Sequence, residues 1–556
     1  MGRGRAAARG AVWACVAVGG WACGQAETAS PARCVPGEVQ ACPCLGGARA
    51  TQVCRDDGRS FSPCDCPGPD AAPLTADASP PAVDAARAAD VAAPVADAAP
   101  VADAAPVAGA SVRWVAPPLL GRPTARGITV NVIPAEDVEL AFEVSASQGP
   151  GVIASARSAV TPAGRPVALA IDGLAADTAY RYRLIGRAPG EMTWRPASEG
   201  DFHTARRPGS PFVFTIQADS HLDDKSDVEL YHRSLQNAAD SAPDFHIDLG
   251  DTFMTEKHSA PFTAEVMTAM DEPTVAARYL GERAHFGLLS TRVPLFLVNG
   301  NHEGEQGWRR VDGQDGQPEW ALRARRLYYL NPSPDDFYTG APMDDPEVGP
   351  RDAYYAWTWG DALFVVLDPF WYTTTRPRDL WAWTLGEAQY RWLASTLDAS
   401  NARWKFVFAH HLVGGVNASN RGGVEGAHGY EWGGLDDAGQ YAFDAQRPGW
   451  EAPIHDLLVA AGVTAFFHGH DHLYVAQRLD GVVYQEVPQP SSPNERNVAT
   501  LAAEGGYVEG EVRPSSGVLR VAVDPERVRV DYVRSRIGAE AARNAEIDHT
   551  YTIERQ

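Results

Sequence analysis

Five short polar clusters hold most of the chemistry open to this chain: Asp219-Ser-His221, Gly250-Asp251, Gly300-Asn-His-Glu303, His410-His411 and Gly469-His-Asp-His472. Carboxylate, imidazole and amide oxygen together suit borderline cations such as zinc, manganese and iron. Asp219 and His221 are two residues apart, as are His470 and His472, so in an extended segment each pair projects from one side. Glycine beside Asp251, Asn301 and His470 lets the backbone approach a bound ion closely. One such cluster alone is weak, because Asp-x-His or paired His more often lies on a surface or at a helix cap. Histidine is scarce, at 15 of 556 residues, and five clusters in one chain argue against chance polar loops. The other histidines (His203, His232, His246, His285, His428, His455 and His549) read as surface or packed residues. His468 reads as either strand packing or support behind the last cluster, and His258 as a pocket-lining residue.

Each cluster ends an apolar run of strand length. Phe212-Val-Phe-Thr-Ile, Phe245-His-Ile-Asp-Leu, Val293-Pro-Leu-Phe-Leu-Val, Trp404-Lys-Phe-Val-Phe-Ala and Val463-Thr-Ala-Phe-Phe are typical of buried strands. Leu363-Phe-Val-Val-Leu is a further such run, and Tyr390, Leu393 and Leu397 have helical spacing. Val518-Leu-Arg-Val-Ala-Val and Val528-Arg-Val-Asp-Tyr-Val predict a closing hairpin around Asp524-Pro-Glu. Strands alternating with helices predict an α/β domain over 207–540, and loops after its strands are where such domains place their sites. The long insertions at about 253–292 and 304–352 are natural places for substrate selectivity. The aromatic-rich Tyr354–Trp359 and Asp368–Tyr372 read as core and rim.

The preceding segments have other characters. Arg3, Arg5 and Arg9 precede an apolar run from Ala11 to Cys23, which predicts an export signal over 1–26. That run is about 13 residues, short of the roughly 20 a membrane-spanning helix needs, and no later stretch qualifies. Gly-Trp-Ala-Cys ending at Cys23 resembles a lipoprotein cleavage site with Gly20 in place of the usual Leu. The protein is therefore expected to be secreted or extracytoplasmic, with a lipid anchor through Cys23 as a variant. All eight Cys precede residue 67. Cys34, Cys42, Cys44, Cys54, Cys64 and Cys66 predict a three-disulfide module over 30–66, with 15 possible connectivities and a zinc cluster as the alternative. The Ala/Pro/Asp-rich stretch 67–110 repeats Ala-Ala-Pro-Val-Ala-Asp from Ala92 and reads as an extended linker. Residues 111–206 hold short alternating runs such as Ile128–Ile133, Val138–Val144 and Val167–Ile171, expected to form one small β-sandwich.

A formal charge of −23, from 48 Lys plus Arg against 71 Asp plus Glu, excludes a nucleic-acid footprint and disfavours anionic membranes. An anionic substrate would have to be drawn in by something local, such as bound cations.

The ordered clusters resemble the calcineurin-like metallophosphoesterase superfamily in its Asp-x-His, Gly-Asp, Gly-Asn-His-Glu, His and Gly-His-x-His form, over roughly 211–535. The resemblance implies a four-layer α/β/β/α sandwich of two mixed sheets and a pair of divalent or trivalent metal ions (Fe, Mn or Zn). It implies that Asp219, His221 and His472 hold the first ion and Asn301, His410 and His470 the second, with Asp251 bridging both. His302 would be general acid or phosphate contact, and water activated between the metals would attack phosphorus in line. Whether His410 or His411 is the ligand stays open, with His410 matching the family position. Gly173-Leu-Ala-Ala-Asp-Thr-Ala-Tyr-Arg-Tyr-Arg-Leu resembles the tyrosine-bearing strand of fibronectin type III domains. That sandwich and the join Phe202-His-Thr-Ala are similar to purple acid phosphatases. Here Met254 stands where those enzymes have a metal-binding Tyr, and His221 is a residue they lack, so no iron–tyrosinate is expected. The function implied is hydrolysis of phosphomonoesters or phosphodiesters. The alternative is a secreted binding or adhesion protein with structural metals, its Cys-rich module engaging a surface partner.

Overall fold

The computed structural model describes residues 112–554 apart from 150, 224, 256–270, 342–344, 346, 377–379, 418 and 420, together with the backbone of residues 39–43 and 49–53. The export signal (1–26), the cysteine pairing (30–66), the linker (67–110) and His258 lie outside the described residues. Within the Cys-rich stretch, β1 (Val39–Pro43) pairs antiparallel with β2 (Arg49–Val53). The chain divides into two compact units, Met1–Ala88 and Ala89–Gln556, and the second carries all five polar clusters.

Seven strands open that second unit: β3 (Trp114–Gly121), β4 (Ile128–Pro134), β5 (Glu139–Ala146), β6 (Val152–Arg157), β7 (Val167–Ile171), β8 (Ala179–Arg187) and β9 (Arg195–His203). They form a three-stranded sheet, β3-β4-β7, and a four-stranded sheet, β6-β5-β8-β9. Strict alternation sets the faces: along β8, Tyr180, Tyr182 and Leu184 are buried while Arg181 and Arg183 are exposed. These residues share one core with Val130, Val132, Leu140 and Phe142 from both sheets. The Tyr180 hydroxyl accepts the Ala175 N–H at 2.9 Å, closing the corner before β8.

The remaining strands are β10 (Phe212–Gln217), β11 (Phe245–Asp248), β12 (Leu295–Leu297), β13 (Thr339–Gly340), β14 (Tyr355–Trp359), β15 (Ala362–Val366), β16 (Trp404–Phe408) and β17 (Ala465–His468). After them come β18 (Tyr474–Leu479), β19 (Val482–Glu486), β20 (Glu511–Arg513), β21 (Gly517–Val523), β22 (Arg527–Arg534) and β23 (Ile547–Glu554). One sheet has the order β12-β11-β10-β21-β22-β23 and the other β13-β14-β15-β16-β17-β19-β18-β20. The anticipated hairpin is β21–β22, closing with Val523 opposite Val528. A sixth strand, β23, continues that sheet beyond residue 540, the boundary read from sequence.

Phe214, Phe245 and Phe296 from the first sheet and Phe364, Phe406, Phe408 and Phe467 from the second meet in one aromatic core. Helices α1 (Val228–Asp240), α2 (Glu272–Ser290) and α3 (Gln317–Tyr328) share a second cluster with β12, β21 and β22. Helix α4 (Glu387–Asp398), with Tyr390, Leu393 and Leu397 buried, packs with β14–β17 and β19 in a third. Strands β10, β11 and β12 are mutually parallel, as are β15, β16 and β17. Their C-terminal ends therefore open in common directions, and all five polar clusters lie there.

The seven-stranded part is tied to the rest through polar contacts. The Tyr182 hydroxyl donates to the Thr291 carbonyl at 2.5 Å. Buried Arg283 of α2 donates to the side chain and the carbonyl of Asn131 on β4, each at 2.5 Å.

Candidate metal centre

The turns after β10, β11 and β17 hold their side chains by an unusual backbone. Asp219, His221, Asp251, His470 and His472 all have positive φ, between 50° and 87°, without being glycine. Such conformations cost on the order of 1–3 kcal/mol each and persist where the surroundings enforce them. Glycine supplies space beside them. A Cβ on Gly300 would lie 2.3 Å from the Asp251 nitrogen, and one on Gly469 would lie 2.5 Å from Asp219 Oδ2.

The result is a compact group of donor atoms. Asp219 Oδ1 lies 3.8 Å from His221 Nε2 and 3.6 Å from His472 Nε2, and these two imidazole nitrogens are 3.0 Å apart. Asp251 Oδ2 lies 3.0 Å from His410 Nε2, whose other neighbour is His470 Nδ1 at 3.2 Å. Asp251 Oδ2 is also 3.8 Å from His221 Nε2, so it stands between the two groups. Three sets are close enough to share a cation: Asp219–His221–His472, Asp251–His410–His470, and His221–Asp251–His302. The third brings His302 to the same carboxylate, its Nε2 3.9 Å from Asp251 Oδ2. Asn301 Oδ1 is buried with no hydrogen-bond partner, and so is Asp219 Oδ1.

The structure separates the two adjacent histidines. His410 is fully buried, donates from Nδ1 to the Leu249 carbonyl at 3.0 Å, and thereby turns Nε2 towards both carboxylates. His411 bonds through Nδ1 to the Leu412 carbonyl at 2.7 Å and packs edge-on against Phe370 and Trp383. It belongs to none of the three sets.

The electrostatics follow from burial and charge. Burial pushes Asp219 up, but the neighbouring His221 imidazole and the charge of His410 bring it below its ordinary range. Burial also opposes ionisation of Asp251, and the charges of His410 and His302 outweigh it, holding that carboxyl well below the usual range. Burial lowers His410, yet Asp251 and Asp219 raise it to about 10. His470 falls to about 3 through burial and the charges of His410 and Arg421. His472 falls to about 4 through burial and His221. The last two imidazoles are thus held neutral, the form that ligates a cation.

Several further residues support the donors. The Glu303 carboxylate accepts backbone N–H groups from Gly300 at 2.5 Å, Thr252 at 2.8 Å and Asp251 at 3.0 Å, locking the second and third loops together. Burial and the charge of Asp251 push it up to about 8 against the pull of those amides. Asp248, at the end of β11, accepts from Gln217, Gly250 and Thr252. Asn494 and Ser515 donate to the His472 carbonyl at 2.6 and 2.8 Å. His468 stacks on Phe466, with Nδ1 2.5 Å from Glu486. The Glu of Gly-Asn-His-Glu was visible as part of a motif, and His468 was open to strand packing or support behind the last cluster; nothing in the sequence marks the others.

No family model and no curated protein matches the sequence. Among solved structures, the chain is similar to PhoD, with 14% identity and a TM-score of 0.57 over 80% of this chain and 90% of that one. It is also similar to the purple acid phosphatase PPD1 from yellow lupin (Lupinus luteus) seeds, with 14% identity and a TM-score of 0.51 over 79% of this chain and 74% of that one. With two mixed sheets, donor loops at their parallel strand ends and these likenesses, the chain has a metallophosphoesterase-type fold.

Proposed function

We propose that this protein is a secreted, binuclear-metal phosphoesterase acting on phosphomonoesters or phosphodiesters. The observation that carries the reading is the convergence of Asp219, His221, Asp251, His410, His470 and His472, from four separate strand ends, into two groups sharing one carboxylate. The donor set fits cations. Asn301 Oδ1 and Asp219 Oδ1 are buried without partners, and His410 and His470 have their distal nitrogens on the carbonyls of Leu249 and Ser419. Outer carbonyl partners of this kind fix the tautomer and ring direction of a ligating histidine.

In this reading Asp219, His221 and His472 hold a first ion, Asn301, His410 and His470 a second, and Asp251 both; iron, manganese or zinc would suit. Such a pair supplies Lewis acidity towards a phosphoryl group and lowers the pKa of water. His302 is the group that meets the leaving oxygen. Its backbone N–H donates to Asp251 Oδ1 at 2.8 Å, while its side chain keeps 21% exposure. From there it would donate a proton to the departing alkoxide, an effect typically worth about 10²–10⁴-fold. The fibronectin type III-like identity of the seven-stranded part, the four-layer arrangement of the catalytic part and export by the N-terminal signal belong to the same proposal. Among the described residues no helix is long and apolar enough to cross a membrane.

The test loads the full-length protein with manganese, iron or zinc and compares an aryl phosphomonoester with the matching diester, using Asp251→Asn as control. Turnover lost in the variant supports the reading, and the preferred ester gives the subclass. Two bound metals without turnover would refute the catalytic claim.

A further inference from the structure

The loop that follows His410 and His411 returns across the cluster and is pinned at both ends. At its start, the carbonyls of Gly414 and Asn417 each accept from Arg421 Nη1 at 2.9 Å. At its end, the backbone N–H groups of Arg421 and Gly422 donate to Asp471 Oδ1 and Oδ2 at 3.3 and 2.8 Å. Asp471 sits between His470 and His472, and its own carboxylate is held by the Tyr507 hydroxyl at 3.0 Å. Between the two pins the Ser419 carbonyl meets His470 Nε2 at 2.8 Å. That contact turns the opposite nitrogen, Nδ1, towards His410.

Arg421 is the hub of this strap. Its guanidinium lies 4.6 Å over the Trp383 ring, and Trp383 in turn packs 4.7 Å edge-on against His411. The side chain is almost fully buried, so it is not placed to contact substrate. It is a cation beside a centre that would hold cations. Its charge alone would weaken metal binding, whereas its geometry organises a ligand.

We infer that Arg421 is a positioning residue that, through the carbonyls of Gly414 and Asn417 on one side of Ser419 and its own backbone on the other, fixes His470 as an Nδ1 ligand and so governs affinity for the second cation selectively. This rests on the two-cation reading of the site. The two possible roles of Arg421 predict opposite signs. Removal of a repelling charge tightens the second cation; removal of a strap pin loosens it. Lysine keeps the charge but cannot stack a planar fork on Trp383.

The experiment titrates manganese into metal-free, full-length protein by calorimetry, comparing wild type, Arg421→Met, Arg421→Lys and His470→Ala. His470→Ala identifies the binding event of the second cation. Arg421→Met is expected to weaken that event by about 10–100-fold, the range for outer partners of metal ligands, and to leave the other within about twofold. Arg421→Lys is expected to recover only part of the loss. Second-event affinity that is unchanged or tighter in Arg421→Met overturns the inference, as does equal weakening of both events. If Arg421→Met does not fold, Arg421→Lys and Trp383→Leu decide by the same criterion. A wild-type chain that binds a single manganese refutes the two-cation reading itself and this inference with it.

Discussion

Replacing Gly469 by alanine adds one methyl group at the crowded point where the last cluster passes the first. The backbone of Gly469 lies outside the left-handed region, so alanine is conformationally allowed and any effect must be steric. The new Cβ would fall 2.5 Å from Asp219 Oδ2 and 2.7 Å from the Ala218 Cβ, where ordinary contact begins at 3.4 Å. Relief requires the Asp219 carboxylate to move by about 0.9 Å, the difference between 3.4 and 2.5 Å. It must also stretch or break the 2.8 Å bond from the His470 N–H to Asp219 Oδ2. Metal ligation tolerates only about 0.2 Å of error, and a misplacement of about 1 Å in a reacting centre costs about 10²-fold. Overpacking itself costs about 1–3 kcal/mol, which a chain with sheets of this size should survive. The expected outcome is a folded protein with first-cation affinity lowered by at least about tenfold and turnover by about a hundredfold. Metal content after gel filtration, thermal melting and ester hydrolysis would be measured together. Gly151→Ala, where a Cβ meets nothing within 4 Å, is the control for the substitution itself. Wild-type metal affinity and turnover in Gly469→Ala would refute the claim that Asp219 and Gly469 are packed to ligand tolerance.

Chelation of a metal-loaded sample should lower the melting temperature, since each cation present at about 1,000 times its dissociation constant adds about 4.1 kcal/mol; identical melting with and without chelator would contradict a metal-holding cluster. His246 is fully buried between sheet residues and burial lowers it to about 3, so the folded state binds fewer protons than the unfolded one as pH falls below about 6.5. Stability is then lost on acidification, by about 2 kcal/mol between pH 6.5 and pH 5 at 1.36 kcal/mol per unit; urea unfolding of His246→Asn should show a shallower decline, and equal slopes would refute the assignment. Arg283→Met strips the donor from both acceptors of Asn131 and from the carbonyls of Pro117 and Tyr328, and should cost at least about 3 kcal/mol with metal content per chain unchanged. A chain that melts normally, or that loses its metal instead, would show that this contact does not join the seven-stranded part to the rest.

The cluster-bearing strands were legible because their runs are mostly apolar and end in polar clusters, the signature of strands buried on both faces. The loops beyond the strand ends were less legible. His410 and His411 have identical chemistry, and the contacts that orient them differently, among them the carbonyl of Leu249 161 positions from His410, are not visible in local spacing. Glu303 works across 51 and 52 positions to Thr252 and Asp251, a relation that local spacing cannot display. Helix α2 falls inside the insertion read at about 253–292 because its buried side includes Arg278, Glu282, Arg283 and His285, which interrupt the apolar stripe that would reveal a helix. Strand β23 escaped for the opposite reason. Of its residues only Ile553 is buried, and Asp548, His549, Thr550 and Thr552 leave little hydrophobic alternation to detect.

The donor residues also show why the site needs the whole fold behind it. Five non-glycine residues in left-handed conformations and two buried, ionised carboxylates are each unfavourable in isolation. Neighbouring positive charge within the cluster is limited: His410 can take up a proton, while His470 and His472 are held neutral. The geometry is kept instead by backbone bonds that do not involve the donor atoms. The Asp219 N–H donates to the Gly250 carbonyl at 2.9 Å, the His221 N–H to the Asp251 carbonyl at 2.8 Å, and the Gly469 N–H to the His410 carbonyl at 2.8 Å. These bonds cross-link the first loop to the second, and the fifth to the fourth, before any ligand is present. A cation entering such a site finds its donors already placed and has little ordering entropy to overcome. It would relieve the unpaired oxygens of Asp219 and Asn301, so binding and folding stability should rise together.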